Sequence, residues 1–258
     1  MIIIGAGIAG CALAYSLANQ GRRILLVERD LSQPDRIVGE LLQPGGVAAL
    51  HKLGLEDVLQ GIDAVPVEGY CVMINGKRVG IPYPEKRESE SWSESCTSGK
   101  NEGRSFHHGR LISNLRKKCL EHPSIDVLEG TVRDLVFCEH TNHVIGVNVA
   151  VKGANLRSYY APVTVIADGC FSKFRTTLPE KGKDSRPQPK TRSHFVGVIL
   201  ENTVTPLPNH GTVCLTPSGP VLLYQIADEA KETRMLVDVK GKLPSVADGS
   251  LKVSSSLK

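Results

Sequence analysis

Hydrophobic and polar positions divide this chain into recognisable elements from its first residues. An unbroken apolar run, Ile2-Ile3-Ile4, stops at Gly5, which predicts a short buried strand ending in a tight turn. Residues 8–20 then carry Ile8, Leu13 and Leu17 with Ala9, Ala12 and Ala14 at helical spacing, and Gly21 is a natural helix stop. A second apolar run, Ile24-Leu25-Leu26-Val27, predicts a second strand that ends on Glu28. Past an irregular stretch, Val47, Leu50, Leu53 and Leu59 fall on one helical face, preceded by Gly45-Gly46. Residues 67–83 alternate as a hairpin about Asn75-Gly76, a pairing whose positive φ angles suit a two-residue turn. A helix is predicted over 109–121, with strands near 125–137, 143–151 and 163–167 and a β-rich region over 194–240. Two polar stretches, 85–105 (rich in Ser, Glu and Gly) and 179–192 (rich in Pro, Lys and Arg), read as solvated loops.

The order strand, glycines, helix, strand, acid within 28 residues has a chemical meaning. In Gly5-Ala6-Gly7-Ile8-Ala9-Gly10 each glycine has its own job. Gly5 makes the turn, Gly7 lets the backbone approach a pyrophosphate, and Gly10 lets the helix pack closely on the strand. The free N–H groups of the helix N-terminus then face the phosphates, and Glu28 is placed to accept hydrogen bonds from ribose hydroxyls. This is a dinucleotide site.

Three further segments stand out. Arg36 to Gly46 (RIVGELLQPGG) supplies an arginine for phosphate or carboxylate pairing and a backbone turn. Phe106-His107-His108-Gly109-Arg110 opens a helix with an arginine able to reach a phosphate or a ring oxygen, while its adjacent histidines point apart and read as structural. Ala167-Asp168-Gly169 follows an apolar strand at the end where ligands bind in open α/β sheets.

Composition narrows the function classes. A net charge of +4 and 5% aromatic residues give no electrostatic footprint and no stacking platform for nucleic acid. The seven cysteines are odd in number, widely spaced and without a CxxC pair, so neither a zinc site nor a disulfide framework is expected and no metal is assigned. No run of 18 apolar residues predicts a transmembrane helix, and the first apolar segment is a nucleotide-binding strand rather than a leader. No Gly-x-Ser-x-Gly elbow appears, so in an enzyme the cofactor would carry the chemistry.

Taken together, the fingerprint with Glu28-Arg29, Gly109-Arg110 and Ala167-Asp168-Gly169 resembles the flavoprotein monooxygenases. More narrowly, RIVGELLQPGG, SFHHGR (Ser105 to Arg110) and ADGCFSKFR (Ala167 to Arg175) resemble squalene epoxidase, also called squalene monooxygenase, and the likeness runs from residue 2 to about residue 252. The resemblance implies an α/β fold with a Rossmann-like FAD-binding domain of the flavoprotein monooxygenase type over 1–180, carrying an inserted hairpin and the mobile loop 85–105. A partial β-rich substrate domain would occupy 190–252, and 253–258 would be an unrelated tail. The implied reaction converts squalene to (S)-2,3-epoxysqualene in sterol biosynthesis, with FAD, O2 and electrons from NADPH-cytochrome P450 reductase at the endoplasmic reticulum membrane.

By the same resemblance, Gly5, Gly7 and Gly10 would hold the FAD pyrophosphate, and Glu28 the adenosine ribose, with Arg29 beside it. Arg36 and Arg110 would contact FAD, Val132 would lie near the adenine, and Asp168 and Gly169 would lie near the cofactor. Tyr70 would border the substrate pocket, oriented by Gln43. The family's later Gly-Asp segment with a Gly-rich run and its C-terminal membrane helices have no counterpart after residue 240. A C-terminally incomplete, FAD-binding but inactive fragment is therefore the alternative, and a nicotinamide-dependent oxidoreductase a weaker third reading.

Overall fold

A computed structural model describes residues 1–85, 101–151, 153, 155–175, 190–241 and 243. Its first layer is a four-stranded parallel sheet. The apolar run at the N-terminus forms β1 (Ile2–Ile4), flanked by β2 (Ile24–Glu28) and β12 (Thr164–Ile166), with β8 (Ile125–Glu129) outside β2. Ile2 lies opposite both Leu25 and Thr164, and Ile24 opposite Ile125.

The alternation of a strand's side chains assigns the two faces of this sheet to different partners. Ile3 and Leu26 point into a core with α1 (Ile8–Asn19) and α3 (His108–Glu121), where Cys11, Ala14, Leu111, Ile112 and Leu115 are buried. Ile2, Ile4 and Val27 point the other way, onto Val132, Leu135, Val147 and Val149. Those residues belong to an antiparallel sheet of β9 (Thr131–Phe137), β10 (Val144–Ala150) and β11 (Arg157–Tyr160). The polar Arg157-Ser158-Tyr159-Tyr160 was not expected as a strand; it is ordered by its pairing with β10 rather than by burial.

α1 also departs from expectation in which face it buries. The buried residues are Gly10, Cys11, Ala14 and Ala18, while Ile8 is 38% exposed. Small side chains bring the helix close to the sheet: a Cβ at Gly10 would lie 1.8 Å from the Gly5 carbonyl oxygen. Of the helix expected around 47–59, only α2 (Pro44–Lys52) forms. Pro44 opens it, and Gly54 at φ 66° separates it from a 3-10 turn over Glu56–Leu59.

The second large sheet has the order β13-β16-β15-β14-β5-β6, formed by β13 (Ser193–Glu201), β16 (Glu232–Lys240), β15 (Gly219–Ala227), β14 (His210–Thr216), β5 (Gly69–Ile74) and β6 (Lys77–Pro82). Asn75 and Gly76, at φ 48° and 77°, make the expected β5–β6 turn. This hairpin is not an isolated insertion in the first unit. β5 runs parallel to β14, with Tyr70 opposite Gly211, so residues far apart in sequence share one sheet.

A small sheet of β3 (Leu41–Leu42), β7 (Gly103–Ser105) and β4 (Val65–Val67) packs against α2 and β15. The end of the expected loop 85–105 is thus a strand. Gly103 permits it, since a Cβ there would sit 2.6 Å from the Leu42 carbonyl oxygen. Residues 86–100 and 176–189, the bulk of the two polar stretches, lie outside the described residues, as does the tail 253–258.

Candidate functional site

At the carboxyl ends of β1, β2 and β12 the chain forms a cleft of about 360 Å³. This is within the ordinary range for a small-molecule or cofactor site, at the edge of an α/β sheet where such sites occur. Gly5, Gly7, Glu28, Arg29, Arg36, Val132, Asp168 and Gly169 all line it. Most of the residues singled out from sequence are therefore brought together.

The glycines act by different geometry. Gly5 has φ 101° and its Cβ would lie 2.5 Å from the Ala167 carbonyl oxygen, so it permits both the turn and the contact with the segment that carries Asp168 past the end of β12. A Cβ at Gly7, by contrast, would meet nothing within 4 Å. Gly7 is the residue preceding α1, and no side chain caps that helix end. Its first-turn amides thus have no side-chain acceptor, which suits an anionic ligand.

Glu28 braces the turn as well as facing the cleft. Its Oε2 accepts the Ala6 N–H at 2.7 Å and its Oε1 the Asp30 N–H at 3.3 Å. The carboxylate is thereby fixed at the end of β2 before any ligand arrives. Arg116 was missed by sequence reasoning. It is 8% exposed, donates from Nε to the Ala6 carbonyl (2.9 Å) and from Nη1 to the Ser32 carbonyl (2.8 Å), and its Nη2 lies 3.6 Å from Glu28 Oε2. In Leu115-Arg116-Lys117-Lys118 it reads as one of a solvated basic run. The available signal was its helical spacing from Ile112, which put it on the buried face.

The same spacing sets Arg110 apart from the residues that line the cleft. His108, Ile112 and Arg116 line the cleft, each one helical turn from the next. Arg110 sits about 200° around the helix from His108, so it points elsewhere. Its Nη1 donates to the Ile62 carbonyl at 3.3 Å and lies 3.9 Å from Asp63. Gly109 is needed for packing, because a Cβ there would lie 2.2 Å from the Pro34 carbonyl oxygen. The two histidines do point apart: His107 Nε2 bonds Glu232 at 2.6 Å, and His108 Nδ1 lies 3.1 Å from the Gly39 carbonyl oxygen.

Gln43 and Tyr70 do not line the cleft, but they do meet. Gln43 Nε2 donates to the Tyr70 hydroxyl at 2.6 Å, and Tyr83 donates its hydroxyl to Gln43 Oε1 at 2.6 Å. The two phenol rings cross edge to face, with centroids 5.7 Å apart. Burial, then the neighbouring Tyr70, push the Tyr83 hydroxyl well above the ordinary phenol range.

The segment bearing Arg36 and Gln43 is anchored by a buried ion pair. Glu40 and Arg234 are 1% and 4% exposed and bond in two places, Nε to Oε2 and Nη2 to Oε1, both at 2.8 Å. Tyr224 adds its hydroxyl to Glu40 Oε2 at 3.2 Å, and the Phe106 N–H donates to the Glu40 carbonyl at 2.8 Å. Ile37 reaches β13 as well, its Cδ1 lying 3.1 Å from where a Cβ on Gly197 would be.

Comparison with known proteins gives the fold and its relatives. Residues 1–35 match the model of the FAD dependent oxidoreductases, and residues 160–255 that of squalene epoxidase. The chain is 46% identical to squalene epoxidase erg1 of Aspergillus fumigatus over 255 residues, covering 98% of this chain and 50% of that protein. It is 44% identical to squalene epoxidase 1 of Arabidopsis thaliana over 253 residues, covering 98% of this chain and 44% of that one. The chain thus spans about half the length of the relatives it matches. Among solved structures it resembles p-nitrophenol 4-monooxygenase PnpA of Pseudomonas putida (TM-score 0.74, 14% identity, 96% of this chain and 59% of that one). It also resembles pqsL, a probable FAD-dependent monooxygenase of Pseudomonas aeruginosa (TM-score 0.69, 19% identity, 93% of this chain and 60% of that one). The fold is that of the FAD-dependent monooxygenases, and FAD is the cofactor to which the N-terminal match points.

Proposed function

We propose that the chain is of the squalene epoxidase family and serves the FAD-dependent epoxidation of squalene to (S)-2,3-epoxysqualene in sterol biosynthesis. The observation that carries this reading is 44–46% identity to squalene epoxidases along nearly the whole chain. The cleft supports it with residues that fit the cofactor. The uncapped end of α1 and the clearance at Gly7 suit the pyrophosphate, with Arg29 and Arg36 as counter-charges. Glu28 is oriented to take the ribose, Val132 and its neighbours the adenine, and Asp168-Gly169 the part of the cofactor beyond the pyrophosphate. Arg116 holds Glu28 and the Ala6 carbonyl in place. Arg110 serves the site from behind, through Asp63 and the Ile62 carbonyl.

FAD, when bound and reduced, supplies the electrons that activate O2. The protein's own task is to place a hydrocarbon that offers no polar handle, so its binding must come from apolar burial. The apolar strand β13 supports such a partner, with Phe195, Val196, Val198 and Ile199 each 40–45% exposed. Tyr70, held by Gln43, would border the reacting end of the substrate. NADPH-cytochrome P450 reductase as electron donor and the endoplasmic reticulum membrane as location belong to the same proposal, as does a division into a cofactor unit over 1–180 and a β-rich substrate unit over 190–252. No helix among the described residues is long and apolar enough to cross a membrane.

The test is incubation of the protein with FAD, squalene, NADPH and the reductase, with extraction of the product. Epoxide that depends on all four additions is expected. Retained flavin without epoxide would instead identify a cofactor-binding chain that does not turn over.

A further inference from the structure

Arg36 lines the cleft, yet its guanidinium makes no hydrogen bond or ion pair with another described residue. Its placement is therefore set by the backbone that carries it. That backbone, residues 35–39, belongs to no helix or strand and is exposed; exposure ends at Glu40, which is buried. Two ties hold the segment from the cofactor side. The Glu40 carbonyl accepts the Phe106 N–H, and the Gly39 carbonyl oxygen lies 3.1 Å from His108 Nδ1. Each is a single bond, which fixes a distance but leaves the segment free to turn about it. The third tie crosses to the other sheet, where the Glu40 carboxylate meets Arg234 of β16 at two points. A bond between two planar groups at two points fixes orientation as well as distance. Stability alone does not call for an ion pair here, because apolar residues of similar volume hold a buried site as well or better. They fill the space without fixing a direction.

We propose that Glu40 and Arg234 are positioning residues for the cofactor: their two-point bond ties residues 36–40 to β16 and so holds Arg36 at the cleft where it meets the FAD pyrophosphate. This rests on the reading above, in which Arg36 is a counter-charge for FAD. A strand of the sheet assigned there to substrate thereby helps to set the affinity for cofactor.

FAD titration of four proteins tests this: the unsubstituted chain, Arg36→Ala, Glu40→Leu with Arg234→Leu, and all three substitutions together. The paired leucines should keep most of the unfolding temperature of the cofactor-free protein, yet weaken FAD about tenfold. Arg36→Ala should weaken it at least as much. Adding the paired leucines to Arg36→Ala should weaken it no further, because both act through one guanidinium. Arg234→Lys keeps the charge and loses the fork; it should bind FAD with intermediate affinity, and it supplies the same comparison with Arg36→Ala if the paired leucines do not fold. Unchanged affinity in the folded paired-leucine protein, beside a weakened Arg36→Ala, would overturn the positioning role and leave the reading of the cleft standing. Losses that multiply in the triple variant would do the same. Arg36→Ala that binds FAD as tightly as the unsubstituted chain would overturn both, as would an unsubstituted chain that takes up no FAD.

Discussion

Gly7 and Gly10 occupy one motif, yet alanine should act on them in opposite directions. At Gly10 the added Cβ would fall 1.8 Å from the Gly5 carbonyl oxygen, a backbone atom that cannot move without opening the β1–α1 turn. Overpacking of this kind costs about 3 kcal/mol or more, a loss of roughly 6–12 °C in unfolding temperature at this chain length. At Gly7 the added Cβ meets nothing within 4 Å, and φ of −87° is comfortable for alanine. Gly7→Ala should therefore stabilise the cofactor-free protein slightly, by about 0.4–1 kcal/mol through the unfolded chain. The same methyl projects where the pyrophosphate must approach the α1 amides. Losing one charge-assisted hydrogen bond of about 1.5–3 kcal/mol there would weaken FAD roughly 10- to 150-fold. Thermal unfolding without FAD and calorimetric titration with FAD separate the two effects. Gly7→Ala protein that binds FAD as tightly as the unsubstituted chain would refute the placement of the pyrophosphate at this turn.

Other substitutions probe the same geometry. Arg116→Leu should weaken FAD at least about tenfold by releasing Glu28 and Ser32, whereas Arg110→Ala, facing away from the cleft, should change the affinity less than about twofold; titration of both variants decides between these arginines. Glu40→Leu alone leaves Arg234 buried without its partner and should cost about 3–5 kcal/mol in denaturant unfolding, while Glu40→Leu with Arg234→Leu should recover most of that. Burial acts to raise the Asp63 carboxyl, but the Glu229 and Asp228 amides, and then Arg110, outweigh it and hold it below the usual carboxylate range. Its contribution to stability is therefore present at neutral pH and lost as pH falls below about 4, so Asp63→Asn should flatten the acid limb of the stability profile.

The parallel sheet, α1 and the Asn75-Gly76 hairpin were legible in the sequence because each rests on a local rule. A run of three isoleucines, a glycine fingerprint and a turn dipeptide act within a few residues of themselves. Most of the cleft was legible for the same reason, since Glu28 ends a strand and Gly5 and Asp168 lie within two residues of strand ends. What escaped depends on distant partners. Glu40 and Arg234 are separated by 194 positions, and nothing in a local window marks either charge as buried. β7 is three residues of polar composition ordered by strands before it, and β5 joins β14 by a pairing across some 140 positions. Arg110 and Arg116 differ only in helical phase, which a motif match ignores. Tyr83 could not be weighed until the hairpin placed it beside Tyr70.

The most direct test of the cofactor assignment is visible absorption of the purified chain after incubation with FAD and desalting, read beside its unfolding temperature with and without FAD. Retained flavin with shifted bands, and an unfolding temperature that rises with FAD concentration as mass action requires, are expected for the cleft described. Colourless protein with an unfolding temperature indifferent to FAD would contradict it.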